Sequence, residues 1–514
     1  MGSSGFQVLK DNVRALPRNL RESILGEGVP KSDRGRSRAV FANLFLHIHP
    51  TRVHARTLKF TQTFGLGMIS AFLMGILTLT GVLLMVYYKP STALAYDSIK
   101  DLRYVVPAGR LLRNVHRWAA HLMVAAVILH MVRVFYAACY KKKRAMNWLV
   151  GVGLFGLTLG LSFTGYLLPW DQLGYWATKI GANLAASPRE VTDALGITAI
   201  FDPGGIMRTF LLGATEVGQE ALTRFYLLHV VVLPAVLTIL MAVHFWRIRK
   251  DGGLARPDGP TPAGKGAAPI GTEPNAPEAA PNKTYGLMAV VKDKTPATDL
   301  DPADTVPSWP YLLRYELLLL MGTVLLCLVL GLLFDAPLKN PANAMVPENP
   351  AKAPWYFLGL QEIVSYSAFM GGVAIPTLVI LALASIPYID REKEDAGVYF
   401  ASKRSLRVAI QTAIFALVSS AMAVGIPVTF GWIRDWSPDI PQLVITLINP
   451  GTLLVLAFAI WSIVVVWRTR STRLGAIAVF TSYIVGFLVL TYVGTYLRGP
   501  NWDFFWSRSS WPLH

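Results

Sequence analysis

Five of the nine histidines in the chain fall inside long apolar stretches. Three sit in "HRWAAHLMVAAVILH" (116–130) and two bound "HVVVLPAVLTILMAVH" (229–244). An α-helix turns about 100° and rises about 1.5 Å per residue. His116 and His130 are 14 residues apart, so they face within about 40° of one another at levels about 21 Å apart. His229 and His244 are 15 apart, which leaves them about 60° and about 22 Å from each other. His121 is turned about 140° from His116 and belongs to another surface. Ionisable groups inside a bilayer are expensive and mark functional paths. One such histidine reads equally well as a satisfied interior polar group; two matched pairs do not. A bare ion at each level would recruit carboxylate or thiolate as well as imidazole, and these stretches contain neither. Two axial imidazoles complete a haem iron with no other protein ligand. The four histidines therefore imply two non-covalent, bis-histidine b-type haems, one at each of two depths. With both axial positions filled, such centres carry electrons and do not bind O₂.

Two more patterns suit flat groups held between helices. Gly67 and Gly81 are 14 residues apart, as are Gly151 and Gly165, and glycine lets a backbone approach a ring closely. Arg113 and Arg133 each lie three residues from a paired histidine. A buried arginine needs an anionic partner, and a haem propionate would supply one.

Composition sets the class. Of 514 residues, 53% are apolar and 15% charged, too apolar for a soluble domain of this length. Windows near 63–87, 112–138, 148–168, 224–246, 312–334, 371–389, 407–428, 448–467 and 474–496 approach or exceed the roughly 20 apolar residues that cross a bilayer. The expected fold is an all-α polytopic membrane protein of about nine transmembrane helices. Residues 1–62 read as a cytoplasmic, partly amphipathic arm, and 63–250 as a four-helix dihaem bundle. Residues 251–307 read as a Pro/Ala/Gly-rich linker, 308–430 as a second helical membrane domain, and 431–514 as further helices with an outer-side tail. The net charge of +17 resides in basic runs at span ends, such as "KKKR" (141–144), "RIRK" (247–250) and "RTRSTR" (468–473). Alternation puts them all on one side, the cytoplasmic one, together with the N-terminus. The basic balance thus points to membrane lipid and not to nucleic acid. The first sixty residues lack the apolar core of a secretory signal. Cys139 and Cys327 give neither a disulfide framework nor a CxxCH haem attachment.

Four segments carry a resemblance: "RNVHRWAAHLMVAAVILHMVRVFY" (113–136), "TGYLLPWDQLGYWATKI" (164–180), "TRFYLLHVVVLPAVLTILMAVHFWRIRK" (223–250) and "KAPWYFLGLQE" (352–362). From about residue 40 to 430 the chain resembles the cytochrome b of quinol–cytochrome c reductases, the cytochrome b/b6 family. The resemblance implies that His116 and His229 bind a haem near the outer side, and His130 and His244 one near the inner side. It implies quinol oxidation at an outer site built from Tyr166, Pro169, Trp170, Trp176, Ala177, Ile180, Trp355 and Tyr356. One electron would pass to a Rieske iron–sulfur protein and on to a c-type cytochrome. The other would descend through the haems to an inner quinone site that includes Arg249 and Glu316, with net proton translocation. A homodimeric complex in a bacterial cytoplasmic membrane is implied too, the fused halves and long linker favouring a bacterial origin.

Departures from the family pattern matter. Gly65 stands where some relatives attach a third haem through cysteine, so no covalent haem is expected. Pro354 replaces the glutamate of the outer-site Pro-Glu-Trp-Tyr motif, and a proline takes no proton. Glu362, eight residues on, is the candidate substitute. Loss of the motif glutamate points toward menaquinol as the substrate. Two other classes stay open at this point: a dihaem anchor joining a dehydrogenase or hydrogenase to quinone, and a cofactor-free transporter using histidine proton relays.

Overall fold

Nine helices among the described residues are long and apolar enough to cross a membrane. They are α1 (Leu66–Met85), α2 (Gly109–Tyr136), α3 (Ala145–Leu167), α4 (Gln219–Asp251), α5 (Ser308–Leu333), α6 (Met370–Ile389), α7 (Lys403–Trp436), α8 (Pro450–Thr469) and α9 (Thr472–Leu497). The computed structural model describes residues 7, 10, 11, 13–18, 30, 32–43, 46–251, 305–390, 392, 397–437 and 439–512. Residues 1–6, 8, 9, 12, 19–29, 31, 44 and 45 of the expected amphipathic arm, and residues 252–304 of the expected linker, lie outside them.

Expected and observed spans agree in number and order, and the differences at their ends have local causes. α1 begins at Leu66 and not at 63, because Phe64 and Gly65 both adopt positive φ (52° and 63°). Two left-handed residues in succession end one helical turn before the next starts. α4 widens into a π turn over Leu228–Val232, just before Pro234. Proline offers no N–H, and its ring crowds the carbonyl four residues earlier, so a wider turn absorbs the conflict. His229 lies on that turn, and π turns of this kind collect at functional sites. α6 opens the same way, with a π turn over Met370–Ala374 ahead of Pro376.

The described residues divide into two compact units. In the first, the residues up to Phe64 associate with 245–251 and 305–319. Arg52–His54 (β1) and Thr305–Pro307 (β2) pair as an antiparallel ribbon, with Val53 opposite Val306. The end of the expected linker is therefore a strand. Arg52 Nε donates to Thr305 Oγ1 at 2.8 Å, and Ser308 N–H donates to the Thr51 carbonyl at 3.0 Å.

The second unit holds 65–244 and the residues from 320 onward. Leu73 and Met74 of α1, Val115, Ala119, Met123, Ala126 and Val127 of α2, Leu237 of α4 and Cys327 of α5 form one buried cluster. Ile363, Ile375, Ala416, Val424, Leu454, Phe458, Leu490 and Val493 form another, between α6, α7, α8 and α9. In lipid such contacts stabilise through packing, since hydrocarbon tails are as apolar as the side chains. A charged knot supplements them. Lys141 Nζ lies 2.9 Å from Asp390 Oδ1, Tyr140 donates to Asp390 Oδ2, and Arg473 Nη1 donates to the Tyr140 hydroxyl at 2.6 Å. Arg473 also donates to the Phe135 carbonyl at 3.0 Å. All three charged residues are buried.

Removing one member of a buried ion pair strands its partners, at a cost of about 3–5 kcal/mol. Asp390→Leu should lower the thermal unfolding midpoint of the detergent-solubilised protein markedly. Lys339→Ala, which breaks a half-exposed pair with Glu348, should change stability by no more than about 1 kcal/mol.

Candidate functional site

α2 and α4 bring the four spaced histidines together in two pairs. The rings of His116 and His229 have centroids 6.3 Å apart, and those of His130 and His244 6.4 Å apart. The hydrogen-bond partners of His116 and His229 fix which nitrogen of each ring is left free. Thr80 Oγ1 donates to the Ile76 carbonyl at 2.7 Å and lies 2.8 Å from His116 Nδ1, so it accepts the Nδ1 proton. His229 Nδ1 lies 3.0 Å from the Leu161 carbonyl, which only accepts. In both rings the proton sits on Nδ1 and the lone pair on Nε2.

Each glycine singled out by spacing faces one of these rings. A Cβ on Gly81 would stand 3.3 Å from His116 Cε1, and one on Gly67 would stand 3.2 Å from His130 Cε1. On Gly165 it would fall 2.5 Å from His229 Cε1, and on Gly151 it would fall 3.8 Å from His244 Cε1. The two arginines flanking the paired histidines have protein neighbours of their own. Arg113 gives its terminal nitrogens to the carbonyls of Ala336 and Pro337, at 2.8 and 2.6 Å, and so holds the segment after α5. Arg133 Nη1 lies 3.9 Å from Cys139 Sγ.

The "PWDQLGYW" run is a clamp on that same segment. Asp171 caps the helix Gln172–Ala186 by accepting from Gly174 N–H at 2.9 Å, and its other oxygen accepts from Lys339 N–H at 3.0 Å. Gln172 Oε1 accepts from Asn343 N–H at 2.7 Å, and Trp176 Nε1 donates to the Asn343 carbonyl at 3.2 Å. Trp170 takes a positive φ of 50° just after Pro169, where α3 has ended. Ala177 and Ile180 lie half-buried on the capped helix. Farther along, Pro354 leads into the helix Trp355–Val364. Trp355 Nε1 donates to His121 Nδ1 at 3.2 Å, and the Tyr356 ring lies 5.9 Å from the His121 ring. Tyr356 is buried, with its hydroxyl toward Ser162, and Tyr166 is within its electrostatic reach.

Glu362, expected to accept a quinol proton, is engaged otherwise. It is fully buried, and Arg498 Nε donates to its Oε2 at 2.9 Å. Trp502 Nε1 donates to the same oxygen at 3.0 Å, and the Tyr366 hydroxyl donates to Oε1 at 3.3 Å. A carboxylate tied to a guanidinium and two further donors is a structural ion pair and not a free base. Arg498 and Trp502 come from the tail beyond α9, far from Glu362 in sequence.

In the first unit Glu316 pairs with His49 and not with a neighbouring arginine or lysine. His49 Nε2 lies 3.0 Å from Glu316 Oε1, and His49 Nδ1 lies 3.3 Å from the Leu46 carbonyl. Both neighbours are acceptors, so both ring nitrogens carry hydrogen. Burial lowers the His49 pKa, but the hydrogen bond and charge of Glu316 outweigh it and the net shift is upward; Arg249 opposes weakly. Sequence spacing gave no signal for His49, which lies in no span and in no repeat of the histidine interval.

The cytochrome b/b6/petB family model matches residues 54–252. Cytochrome b6 of Heliobacterium mobile is 41% identical over 204 residues, 40% of this chain and 88% of that protein. The menaquinol:cytochrome c reductase cytochrome b subunit of Bacillus subtilis is 42% identical over 187 residues, 36% of this chain and 78% of that protein. The chain belongs to the cytochrome b family. A solved hyperthermophilic respiratory Complex III chain has the same fold, with a TM-score of 0.54 at 23% identity over 88% of this chain and 96% of that one. The protein is thus a multi-span electron-transport cytochrome of b type.

The paired imidazoles fit the family's haem. Two nitrogen–metal bonds of about 2 Å each, plus the offset of each nitrogen from its ring centre, span centroid separations of this size. Among the described residues no group of three or more His, Cys, Asp or Glu gathers as it would around a bare ion. Gly165→Ala in this cytochrome b should displace His229 and reduce the b-type absorbance of the dithionite-reduced protein. Gly151→Ala, where the added methyl meets only ordinary contact, should leave it near wild type.

Proposed function

We propose that this chain is the cytochrome b subunit of a proton-translocating quinol–cytochrome c oxidoreductase in a bacterial cytoplasmic membrane, its N-terminus on the cytoplasmic side. One observation supports the reading above all: two imidazole pairs of equal separation, held at two levels by the same two helices. His116 and His229 would hold an outer haem, and His130 and His244 an inner one. A haem, when bound, would supply a one-electron redox centre.

The residues around these pairs do the rest. Thr80 and the Leu161 carbonyl hold the outer imidazoles in the tautomer that presents Nε2. Trp355, Tyr356, Tyr166, Pro169, Trp170, Trp176, Ala177 and Ile180 form an apolar, aromatic outer site that excludes water from a quinol headgroup. Asp171 and Gln172 set the position of the segment leading into it. At the inner site the His49–Glu316 pair carries a transferable proton, and Arg249 offers positive charge to a reduced quinone. A Rieske iron–sulfur protein, a c-type cytochrome and a second copy of this chain complete the assembly. The menaquinol named for the Bacillus subtilis relative is the substrate most consistent with Pro354 in place of the motif glutamate.

Anaerobic redox titration of the purified complex, with haem and quinone extraction, should show two b-type transitions, two haems per chain and a bound naphthoquinone. His130→Ala should remove one transition and leave the other. A complex free of haem would sink the proposal. The His49–Glu316 pair adds a pH dependence. Its protonated form is fully present below the ordinary histidine value of about 6.5 and is lost as pH rises through the raised folded value. Inner-site quinone reduction should therefore decline on the alkaline side, and Glu316→Gln should move that decline to lower pH in a rate–pH profile.

A further inference from the structure

His121 is the intramembrane histidine that the paired-ligand pattern leaves over, and it stands against the Trp355–Tyr356 turn. An indole N–H only donates. With Trp355 Nε1 giving its hydrogen to His121 Nδ1 at 3.2 Å, that nitrogen carries the lone pair, and the neutral ring bears its proton on Nε2. Among the described residues Nε2 has no hydrogen-bond partner. The groups packed around the ring are aromatic: Trp118 with its centroid 5.7 Å away, Tyr356 at 5.9 Å, and Trp355 itself. Arg117 is the charged group facing it. Glu362, on the same short helix as Trp355, has its oxygens occupied by Arg498, Trp502 and Tyr366.

A quinol or quinone headgroup in an apolar pocket needs a polar partner at its ring oxygens, because an unpaired buried oxygen is costly. We propose that His121 is a quinone-binding residue of the outer site, its Nε2–H donating to a ring oxygen of the bound quinol and of the quinone produced. This rests on the reading of the Trp355–Tyr356 turn as part of the quinol site. The ring oxygen accepts in both redox states, so the contact survives oxidation. Trp355 acts through His121: its N–H fixes the tautomer that carries the proton on Nε2.

Two substitutions separate this role from simple packing. His121→Asn places an amide oxygen near the Nδ1 position, which keeps an acceptor for Trp355 but stops short of Nε2. His121→Gln reaches the Nε2 position with an amide N–H. The assay uses the purified complex with its partner subunits and reduced 2,3-dimethyl-1,4-naphthoquinone as the probe. The Asn variant should raise the KM for this quinol about tenfold, the Gln variant should stay within about threefold of wild type, and both should keep the dithionite-reduced b-type spectrum. Wild-type KM and kcat in the Asn variant would overturn the proposal, as would equal losses in Asn and Gln, which mark a packing role. If the wild-type complex with intact, reducible haems failed to oxidise the probe, the quinol-site reading itself would fall, and this assignment with it.

Discussion

The fold is organised around one geometric constraint: imidazoles from two neighbouring helices meet at two depths, with ring centroids 6.3 and 6.4 Å apart. Helices rise about 1.5 Å per residue, so intervals of 14 and 15 residues put both meetings on one pair of rods. The same interval recurs in the glycines of α1 and α3, and each glycine faces one of the four rings. Four helices are thereby locked in register, because sliding any one by a residue would rotate its histidines or glycines away from their partners. The π turn at His229 fits this constraint. Pro234 perturbs α4 five residues after His229, and the widened turn over Leu228–Val232 absorbs the perturbation.

The outer segment after α5 depends on polar clamps, since an irregular backbone at membrane depth must have its groups satisfied within the protein. Arg113 holds the carbonyls of Ala336 and Pro337, and Asn114 accepts the Ala336 N–H at 2.8 Å. Arg110 grips Asp335 through two bonds of 2.7 and 2.8 Å, which together with Asn114 hold that carboxylate below its ordinary pKa. Asp171 and Gln172 take the next stretch. The segment is thus delivered at a fixed level, and the Trp355–Tyr356 turn arrives against His121. Arg113, three residues from His116, thus ties the start of this segment to α2.

Helix number, order and the pairing of the four spaced histidines were legible because they rest on local periodicity: apolar runs of membrane length, and repeated intervals on single helices. What stayed hidden depends on pairs far apart in the chain. Glu316 stands out in the sequence as a candidate, but its partner His49 lies 267 residues away. Glu362 looked like a replacement base because Arg498, 136 residues on, carries no marker of its role. His121 could be assigned only to a different helix face, and nothing in the helical period says which loop that face meets. The strand at 305–307 was missed for a related reason: three residues are too short for an alternation to be read, and their partner is β1.

These long-range pairs explain how the ninth span is held. The family model's match ends at residue 252, and α9 lies beyond it. Arg473 near its start is buried in the knot with Tyr140 and Asp390, and Arg498 just past its end is buried against Glu362. Twenty-five residues of helix separate the two arginines, a rise of about 37 Å, slightly more than the hydrocarbon thickness of a bilayer. A buried ion pair adds little net stability over an apolar pair of the same volume, but a mispaired one is strongly unfavourable. Two of them at opposite ends of one helix therefore act chiefly as registration marks. They allow one vertical position and one rotation for α9, and the lower mark joins it to the end of α2, the helix that carries His116 and His130. The upper mark fixes the helix Trp355–Val364 that presents the aromatic turn to His121. A span beyond the residues the family model matches thus sets the position of the turn that meets His121.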